Sequence, residues 1–475
     1  MKNSTITTLL ILVIAITIIF VPTLKAEDCS SLPALPSGTK MQKCNWEGLE
    51  VIWINDSKFP LYELGLYFSD GALSDSKEGV VGESETMFHL LTAGTKELSQ
   101  AEILDQLEFY GTTIHSDVTH EQSTIKISGL TKDLPQVMKL FCHLWSSSTF
   151  PVKEVRQHKQ RKRSELENLI SMPSELANRA FRALSLKGTP YENPSSPTLE
   201  SLNKITINSL TQKLSHFHSK VKKRLYLSGS QEVLAIRDIL VNECGFNQKL
   251  NQEASFVRRE TVSESALLDA PKIYLIPLAN SNQAQIRIGR MLTPLEMKNS
   301  DLLSLTSNFL GGGFISLLMQ ELRVKHGLTY GVGSYAIPQH DYGRAGISTS
   351  TKNESLETAL NLIANTLLEA GKGNFSDESL QNSIRYLAGN YLFGFEDPSL
   401  FLTQLIYYDH VERSYQELYR FPQTVASFSK EDVTNSIRSI FEWNRNTIVI
   451  VGSKALAKPL SKIGKVTIIN HRTLL

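Results

Sequence analysis

The stretch that decides the fold reads GESETMFHLLTAGT and runs from Gly82 to Thr95. Glu85 and His89 stand four residues apart in it, so a helix brings both side chains to one face. Carboxylate and imidazole are both groups that bind zinc in proteins. Phe88, directly before His89, has no atom that can accept a proton. The stretch therefore predicts a helix with Glu85 and His89 on one face; the alternative is that His89 is a helix residue with no ligand role.

A second informative stretch lies in the other half of the chain. Gly311, Gly312 and Gly313 end an apolar segment, and Arg323 and Tyr330 follow with a spacing of seven residues (330 − 323). A guanidinium and a phenol hydroxyl are donors suited to negative charge that develops on a carbonyl oxygen. Glycines let the chain pass close to an extended peptide. These residues are suited to contact with an extended peptide; the alternative is a surface arginine and a tyrosine packed in a sheet.

The two stretches together resemble the insulinase, pitrilysin and mitochondrial processing peptidase family of zinc peptidases. In that family a helix carries H-x-x-E-H, with two histidines as zinc ligands and the glutamate as general base. An ungapped match places Glu85 at the first histidine, Phe88 at the glutamate and His89 at the second histidine. The family's downstream glutamate ligand falls on Glu165. The resemblance thus implies a degenerate zinc motif at these four positions.

A second match to the same motif is possible. It makes Glu85 the base and puts Gly82 and Thr86 at the histidine positions, but it needs three extra residues. The site is incomplete under both matches, so the resemblance implies no catalytic residue and no zinc in this chain. A metal site formed by Glu85, His89 and Glu165 stays open as an alternative, and it too lacks a base.

The resemblance also gives a role to the second stretch. In the family, the arginine and the tyrosine reach across a closed chamber to the zinc site of a partner half. Arg323 and Tyr330, with Gly311, Gly312 and Gly313, are therefore expected to bind substrate. In two-chain members one chain keeps the zinc and the other keeps these donors. The resemblance implies a heterodimer with a homologous zinc-bearing chain, and a peptide or unfolded polypeptide as substrate.

Landmarks repeat along the chain at a nearly constant offset. Ile273 follows Val51 by 222 residues (273 − 51), and Pro398 follows Pro173 by 225 (398 − 173). We expect two homologous α+β halves of about 200 residues each, packed like a clamshell with sheets lining a chamber and helices outside. The predicted segments are a signal peptide (1–26), an N-terminal peptidase-like domain (27–245), a linker (246–270) and a C-terminal peptidase-like domain (271–475).

Composition and the N-terminus indicate an exported globular protein. The chain has 475 residues, 41% hydrophobic and 20% charged, and its net charge of +1 gives no indication of nucleic-acid binding. Lys2, an apolar run over residues 9–21 and a final Ala26 are typical of a secretory signal peptide. An uncleaved anchor is the alternative. We expect the protein in the periplasm, or secreted, without a stable membrane span after cleavage.

Cysteines and histidines give further expectations. Cys29 and Cys44 flank a proline-rich segment and are expected to form a disulfide. Cys142 lies in an apolar helical run and is expected to be a buried small residue, and Cys244 to be a free thiol. His115 and His120 flank a predicted strand and are expected to be polar residues that line the chamber.

Three functions are consistent with the sequence. The leading hypothesis is a non-catalytic subunit of an exported zinc metallopeptidase, which completes the peptide-binding chamber and supplies Arg323 and Tyr330 to a catalytic partner. The second is a metallopeptidase active by itself through a variant metal site. The third is a peptide-binding or scaffold protein without chemistry.

Overall fold

The computed structural model describes residues 29–33, 38–247 and 270–475. The predicted signal peptide, and nearly all of the predicted linker, lie outside the described residues, so both stay predictions. Within the described residues, no helix combines the length and the apolar character that crossing a membrane requires.

The first half is a sheet with helices packed on it. Its strands are β1 Cys29–Leu32, β2 Lys40–Trp46, β3 Leu49–Asn55, β4 Leu61–Phe68, β5 Thr113–Val118, β6 Ser123–Leu130 and β7 Lys223–Gly229. Its helices are α1 Ala72–Glu78, α2 Glu83–His89, α3 Gln100–Phe109, α4 Leu134–Ser147, α5 Val152–Asn168, α6 Pro173–Ser185, α7 Ser201–Lys204 and α8 Ile207–Ser219. The strands lie side by side in the order β1-β2-β3-β7-β4-β6-β5, which leaves β5 at one edge.

The second half has the same plan. Its strands are β8 Lys272–Pro277, β9 Gln283–Leu292, β10 Val332–Pro338, β11 Gly343–Lys352, β12 Thr447–Gly452 and β13 Val466–Ile468. Its helices are α9 Ser300–Gly311, α10 Leu317–Met319, α11 Leu356–Gly371, α12 Asp377–Phe393, α13 Pro398–His410, α14 Tyr415–Ser427, α15 Lys430–Ile440 and α16 Ala457–Leu460. The strand order is β10-β11-β9-β12-β8-β13, with β10 at one edge.

The prediction of two homologous α+β halves is confirmed. Strands β3, β7, β4, β6 and β5 occupy the same successive places as β8, β12, β9, β11 and β10. Helices α5 and α12 both have 17 residues, and α6 and α13 both have 13. Pro173 and Pro398 each stand at the first turn of their helix, where the missing N–H costs nothing.

Each sheet buries one face under helices of its own half. Val51 and Trp53 of β3 belong to the core beneath those helices, while Ile52 and Ile54 between them point to the opposite face. This alternation is the period of two that β-strands impose on side chains. Helix α3 begins with a capping box, in which Ser99 and Glu102 each bind the other's backbone N–H.

The opposite face of each sheet carries a helix from the other half. Helix α13 of the second half packs on β4 and β7 of the first, and α6 of the first half packs on β9 and β12 of the second. Apolar side chains fill both contacts. Those at α13 include Phe401, Leu405 and Ile406 against Ile52 and Tyr226, and those at α6 include Leu176 and Phe181 against Ile276 and Val449. The two halves are thus joined by a reciprocal exchange of helices.

All four cysteines form disulfides. The expected Cys29–Cys44 bond is confirmed, and it joins β1 to β2. The expectation for Cys244 is wrong, because it is bonded to Cys142 across 102 residues. Cys142 is buried as expected, but as half of this disulfide. The segment before Cys244 packs on α4, and this contact between residues distant in sequence brings the two sulfurs together.

His120 does not line a chamber, so that expectation is wrong. Its side chain is 5% exposed and lies between the two halves. Its Nδ1 is 2.7 Å from the Tyr342 hydroxyl, and its Nε2 is 2.7 Å from the Asn193 carbonyl oxygen. A carbonyl can only accept, so Nε2 carries the proton and Nδ1 accepts from the tyrosine. Burial lowers the pKa of His120 to about 4.

Candidate functional site

Helix α2, which carries the degenerate motif, begins at a glycine that no other residue can replace. Gly82 precedes the helix with φ of 79°, a left-handed conformation that favours glycine. A Cβ on Gly82 would lie 2.2 Å from the backbone nitrogen of Pro197. The close approach of that loop therefore fixes where α2 starts and which face it presents.

Phe88, at the position of the general base, points into the core. Its side chain is 3% exposed, and its ring centroid lies 4.8 Å from that of Phe217 and 5.3 Å from that of Phe68. Edge-to-face packing of this kind stabilises an aromatic core. The ring of Phe88 therefore belongs to the hydrophobic core, and this position offers no group that could accept a proton from water.

The side chain of Glu85 is bound by a lysine. The Lys162 Nζ, on α5, lies 2.7 Å from Glu85 Oε1 and 3.7 Å from Glu165 Oε2. Lys162 and Glu85 are 19% and 26% exposed, whereas Glu165 is 66% exposed. A single ammonium group therefore lies between the two carboxylates that the sequence offered as metal ligands. These residues do not fit a zinc ion, since a cation already occupies the space between them.

The remaining motif histidine pairs with a second histidine. The ring of His89 lies against that of His158 on α5, with 4.6 Å between centroids and 41° between planes. His158 is 4% exposed, and its Nε2 has no hydrogen-bond partner among the described residues. Burial lowers the pKa of His158 to about 3, so the ring is neutral at pH 7.

Sequence reasoning missed both His158 and Lys162. The spacing from His158 through Lys162 to Glu165 is i, i+4, i+7, which places all three on one face of a helix. This helical spacing is the sequence feature from which the position of His158 and Lys162 beside Glu165 could have been predicted. Over residues 29–33, 38–247 and 270–475, no three or more His, Cys, Asp or Glu side chains come together in a group that could hold a metal ion.

The second match to the motif is not supported by the packing of α2. Thr86 is fully buried, and its hydroxyl donates to the Gly82 carbonyl oxygen at 2.8 Å within the same helix. Glu85, the base under that match, is bound to Lys162. Neither position can act as the match requires without rearrangement of the helix.

Arg323 and Tyr330 lie on the surface of the second half. Arg323 belongs to a π-helical turn, Gln320–Lys325, and its guanidinium carbon lies 5.0 Å from the ring centroid of Phe314. Tyr330 is 87% exposed in the loop before β10, so a tyrosine packed in the sheet is wrong. Neither side chain forms a hydrogen bond or an ion pair to any part of the chain that the structure describes.

The three glycines differ in what requires them. A Cβ on Gly311 would lie 2.4 Å from the Ser334 nitrogen on β10, and one on Gly312 would lie 2.2 Å from the Asn308 side chain. Packing within the second half is therefore enough to explain why positions 311 and 312 are glycines. A Cβ on Gly313 would lie 3.8 Å from the Tyr386 ring, an ordinary van der Waals contact. Of the three glycines, only Gly313 has room for a Cβ, although its φ of 158° also favours glycine.

Comparisons with known proteins agree with this arrangement. Residues 50–198 match the family model described as insulinase (peptidase family M16), and residues 251–387 match the peptidase M16 inactive domain. A protein of Helicobacter pylori called "Non-peptidase homolog YmxG" is 23% identical over 423 residues, covering 87% of this chain and 94% of that protein. A Bacillus subtilis protein called "Uncharacterized zinc protease YmxG" is 20% identical, covering 74% and 83%.

Solved structures share the fold. A structure described as the peptidase M16 inactive domain from Pseudomonas fluorescens superposes with a TM-score of 0.75 at 20% identity, over 90% of this chain and 98% of that one. The two family models fall on the two homologous halves, and the degenerate motif lies in the first of them. The chain therefore belongs to the insulinase family, peptidase family M16.

Proposed function

We propose that this chain is a non-catalytic subunit of an exported zinc metallopeptidase. It completes the peptide-binding chamber of a homologous zinc-bearing chain, and it supplies Arg323 and Tyr330 to that chain's active site. The observation that carries the proposal is a contrast between the two halves. The motif helix is occupied by internal contacts, whereas Tyr330 is exposed, Arg323 is partly exposed, and neither side chain has a hydrogen-bond or ion-pair partner among the described residues.

The first half supports a role without chemistry. Lys162 neutralises Glu85, and the ring of Phe88 is part of the core. Restoring a zinc site would require displacing the partly buried Lys162 ammonium and repacking three aromatic rings. One histidine ligand and the base are replaced together, so a single substitution would not bring activity back.

The second half supports a role in holding substrate. Arg323 has a planar fork of donors, and its guanidinium packs over the ring of Phe314. Tyr330 presents its hydroxyl from a loop seven residues later. In the assembled chamber these donors bind the carbonyl oxygens of an extended polypeptide and stabilise charge that develops during cleavage by the partner. Zinc belongs to the partner chain in this proposal.

Export is part of the proposal and rests on two features. The N-terminal residues have the pattern of a signal peptide, and all four cysteines are paired in the fold. Disulfides persist mainly in oxidising compartments such as the periplasm. Fractionation of the native host tests this directly, and a chain found only in the cytosol with reduced thiols would contradict it.

The test of the subunit role is reconstitution. The tagged chain is recovered from the exported fraction, its co-purifying homologue is identified, and cleavage of a quenched fluorescent peptide is measured for the pair. Arg323→Ala and Tyr330→Phe should each lower kcat/KM at least tenfold, about the loss of one charge-stabilising donor. Arg385→Ala is the control, since that arginine is exposed on α12 and bonds only Asn382.

Three results would count against the proposal. If the pair cleaves the peptide as fast with Arg323→Ala as with the wild-type chain, Arg323 does not contribute to catalysis by the partner. Peptide binding by this chain without effect on any peptidase favours a scaffold. Cleavage by this chain alone, with bound metal, favours the variant metal site.

A further inference from the structure

The tip of one hairpin in the first half is buried in the second half. Glu121 lies in the turn between β5 and β6, and its side chain is fully buried. A carboxylate in such surroundings is costly unless hydrogen bonds replace its water. Nearly all of those bonds come from the other half of the chain.

Backbone N–H groups of a second hairpin turn bind this carboxylate. The His340 nitrogen donates to Glu121 Oε2 at 2.8 Å, and the Asp341 nitrogen donates to Oε1 at 3.0 Å. Both belong to the turn between β10 and β11. The Tyr191 hydroxyl, from the first half, adds a longer contact of 3.4 Å to Oε1.

A histidine at the end of an exchanged helix completes the contact. His410, the last residue of α13, is 3% exposed, and its Nε2 lies 2.9 Å from Glu121 Oε2. Its Nδ1 lies 3.2 Å from the hydroxyl of Tyr67 on β4. The ring of His410 is therefore held on both sides by groups of the first half.

The two hairpins joined in this way are the edges of the two sheets. Strand β5 ends the first sheet and β10 ends the second. The degenerate helix α2 packs against β5, and Gly311, at the end of α9, packs against β10. The two regions singled out in the sequence thus rest on two edge strands whose hairpin tips meet at Glu121.

We propose that Glu121 is a latch that makes the two edge hairpins move as one unit. With the latch closed, β5 and β10 keep a fixed spacing. With the carboxylate removed, the hairpin tips lose the backbone hydrogen bonds that Glu121 accepts and loosen, while the His120–Tyr342 contact and the exchanged helices still hold the halves together. This inference concerns only contacts within the chain, so it stands whether or not a partner is found.

Amide hydrogen exchange on the purified full chain tests the latch. Glu121→Ala should speed exchange roughly tenfold or more in both hairpins, residues 113–130 and 332–352, because both lose the same anchor. Glu121→Gln keeps an acceptor oxygen but loses the charge, and it should give the same pattern with a smaller amplitude. This milder variant keeps the test valid where the alanine variant does not fold.

Asp301→Asn is the matched control. Asp301 is 6% exposed and is bound by Arg413 at 2.8 Å, so it is a buried ion pair that lies entirely within the second half. Its loss should speed exchange in the second half and leave residues 113–130 unchanged. Faster exchange confined to residues 119–122 in both Glu121 variants, or equal effects of Asp301→Asn on the two hairpins, would overturn the latch.

Discussion

Removing the charge of Lys162 tests whether its ammonium holds α2 against α5. Lys162→Met keeps most of the aliphatic stem and leaves Glu85 without its cation. We expect the free energy of unfolding to fall by about 2 kcal/mol. The reason is that a carboxylate with 26% exposure recovers only part of its hydration when its partner is lost.

The magnitude follows from two limits. Removing one partner of a fully buried ion pair costs roughly 3–5 kcal/mol, because the other charge stays buried alone. Exposed pairs contribute about 0.2–1 kcal/mol. With side chains 19% and 26% exposed, the Lys162–Glu85 pair lies between these limits, which gives the value of about 2 kcal/mol.

A second lysine in the same half provides the control. The Lys204 Nζ is 2.6 Å from Glu200 Oε1, but the two side chains are 62% and 79% exposed. Lys204→Met should therefore cost less than about 0.5 kcal/mol. Urea unfolding followed by circular dichroism at pH 7 and moderate salt measures both variants.

A double variant separates the ion pair from other effects. Glu85→Gln combined with Lys162→Met should be more stable than the sum of the single losses predicts, because no unpaired charge remains. Equal losses for Lys162→Met and Lys204→Met, or strictly additive losses at Glu85 and Lys162, would refute the reasoning.

Three other measurements bear on metal, pH and disulfides. Plasma mass spectrometry on protein purified without added metal should find less than about a tenth of an equivalent of zinc, since three ligands are not available; close to one equivalent would contradict this. The pKa of His120 is about 4 in the folded protein, whereas an imidazole in the unfolded chain has a pKa of about 6.5. Between about pH 4 and pH 6.5 the unfolded chain therefore binds more protons at this residue than the folded protein does. His120 should then account for about 2 kcal/mol of the stability lost from pH 7 to pH 5, in addition to the part due to His158, and His120→Gln should make the slope shallower by that amount; an unchanged slope would contradict it. Replacing Cys142 and Cys244 by alanine should lower the urea midpoint more than replacing Cys29 and Cys44. The first disulfide closes a loop of 102 residues and the second a loop of 15, for which the chain-entropy model gives stabilisations of about 4.7 and 3 kcal/mol. A larger loss from the Cys29 and Cys44 variant would count against that model for this protein.

The predictions from the sequence that the structure confirms rest on local patterns or on the internal repeat. The i, i+4 spacing of Glu85 and His89 predicted that both lie on one helix, which is α2 with its first residue at Glu83 and its last at His89. The repeat offset predicted two homologous halves, because matching residues occupy matching places in each sheet. Each of these signals depends on neighbours in the chain, or on a copy of the same segment.

Contacts between distant segments could not be predicted in the same way. Lys162 was one of several cations on α5, and nothing in its own helix showed that Glu85 lay opposite. Cys142 and Cys244 had no spacing that indicated a bond. The helix exchange was hidden as well, because an apolar face of α6 or α13 does not reveal which sheet it covers.

The exchange of α6 and α13 has a consequence for cutting the chain. Each fragment on its own would expose the apolar sheet face that the other fragment's helix covers, so neither is expected to be soluble alone. Cleaved between residues 247 and 270, the protein should stay assembled, as an obligate pair of fragments does. The two pieces produced separately should fold only when mixed, which makes the chain a natural scaffold for a split reporter.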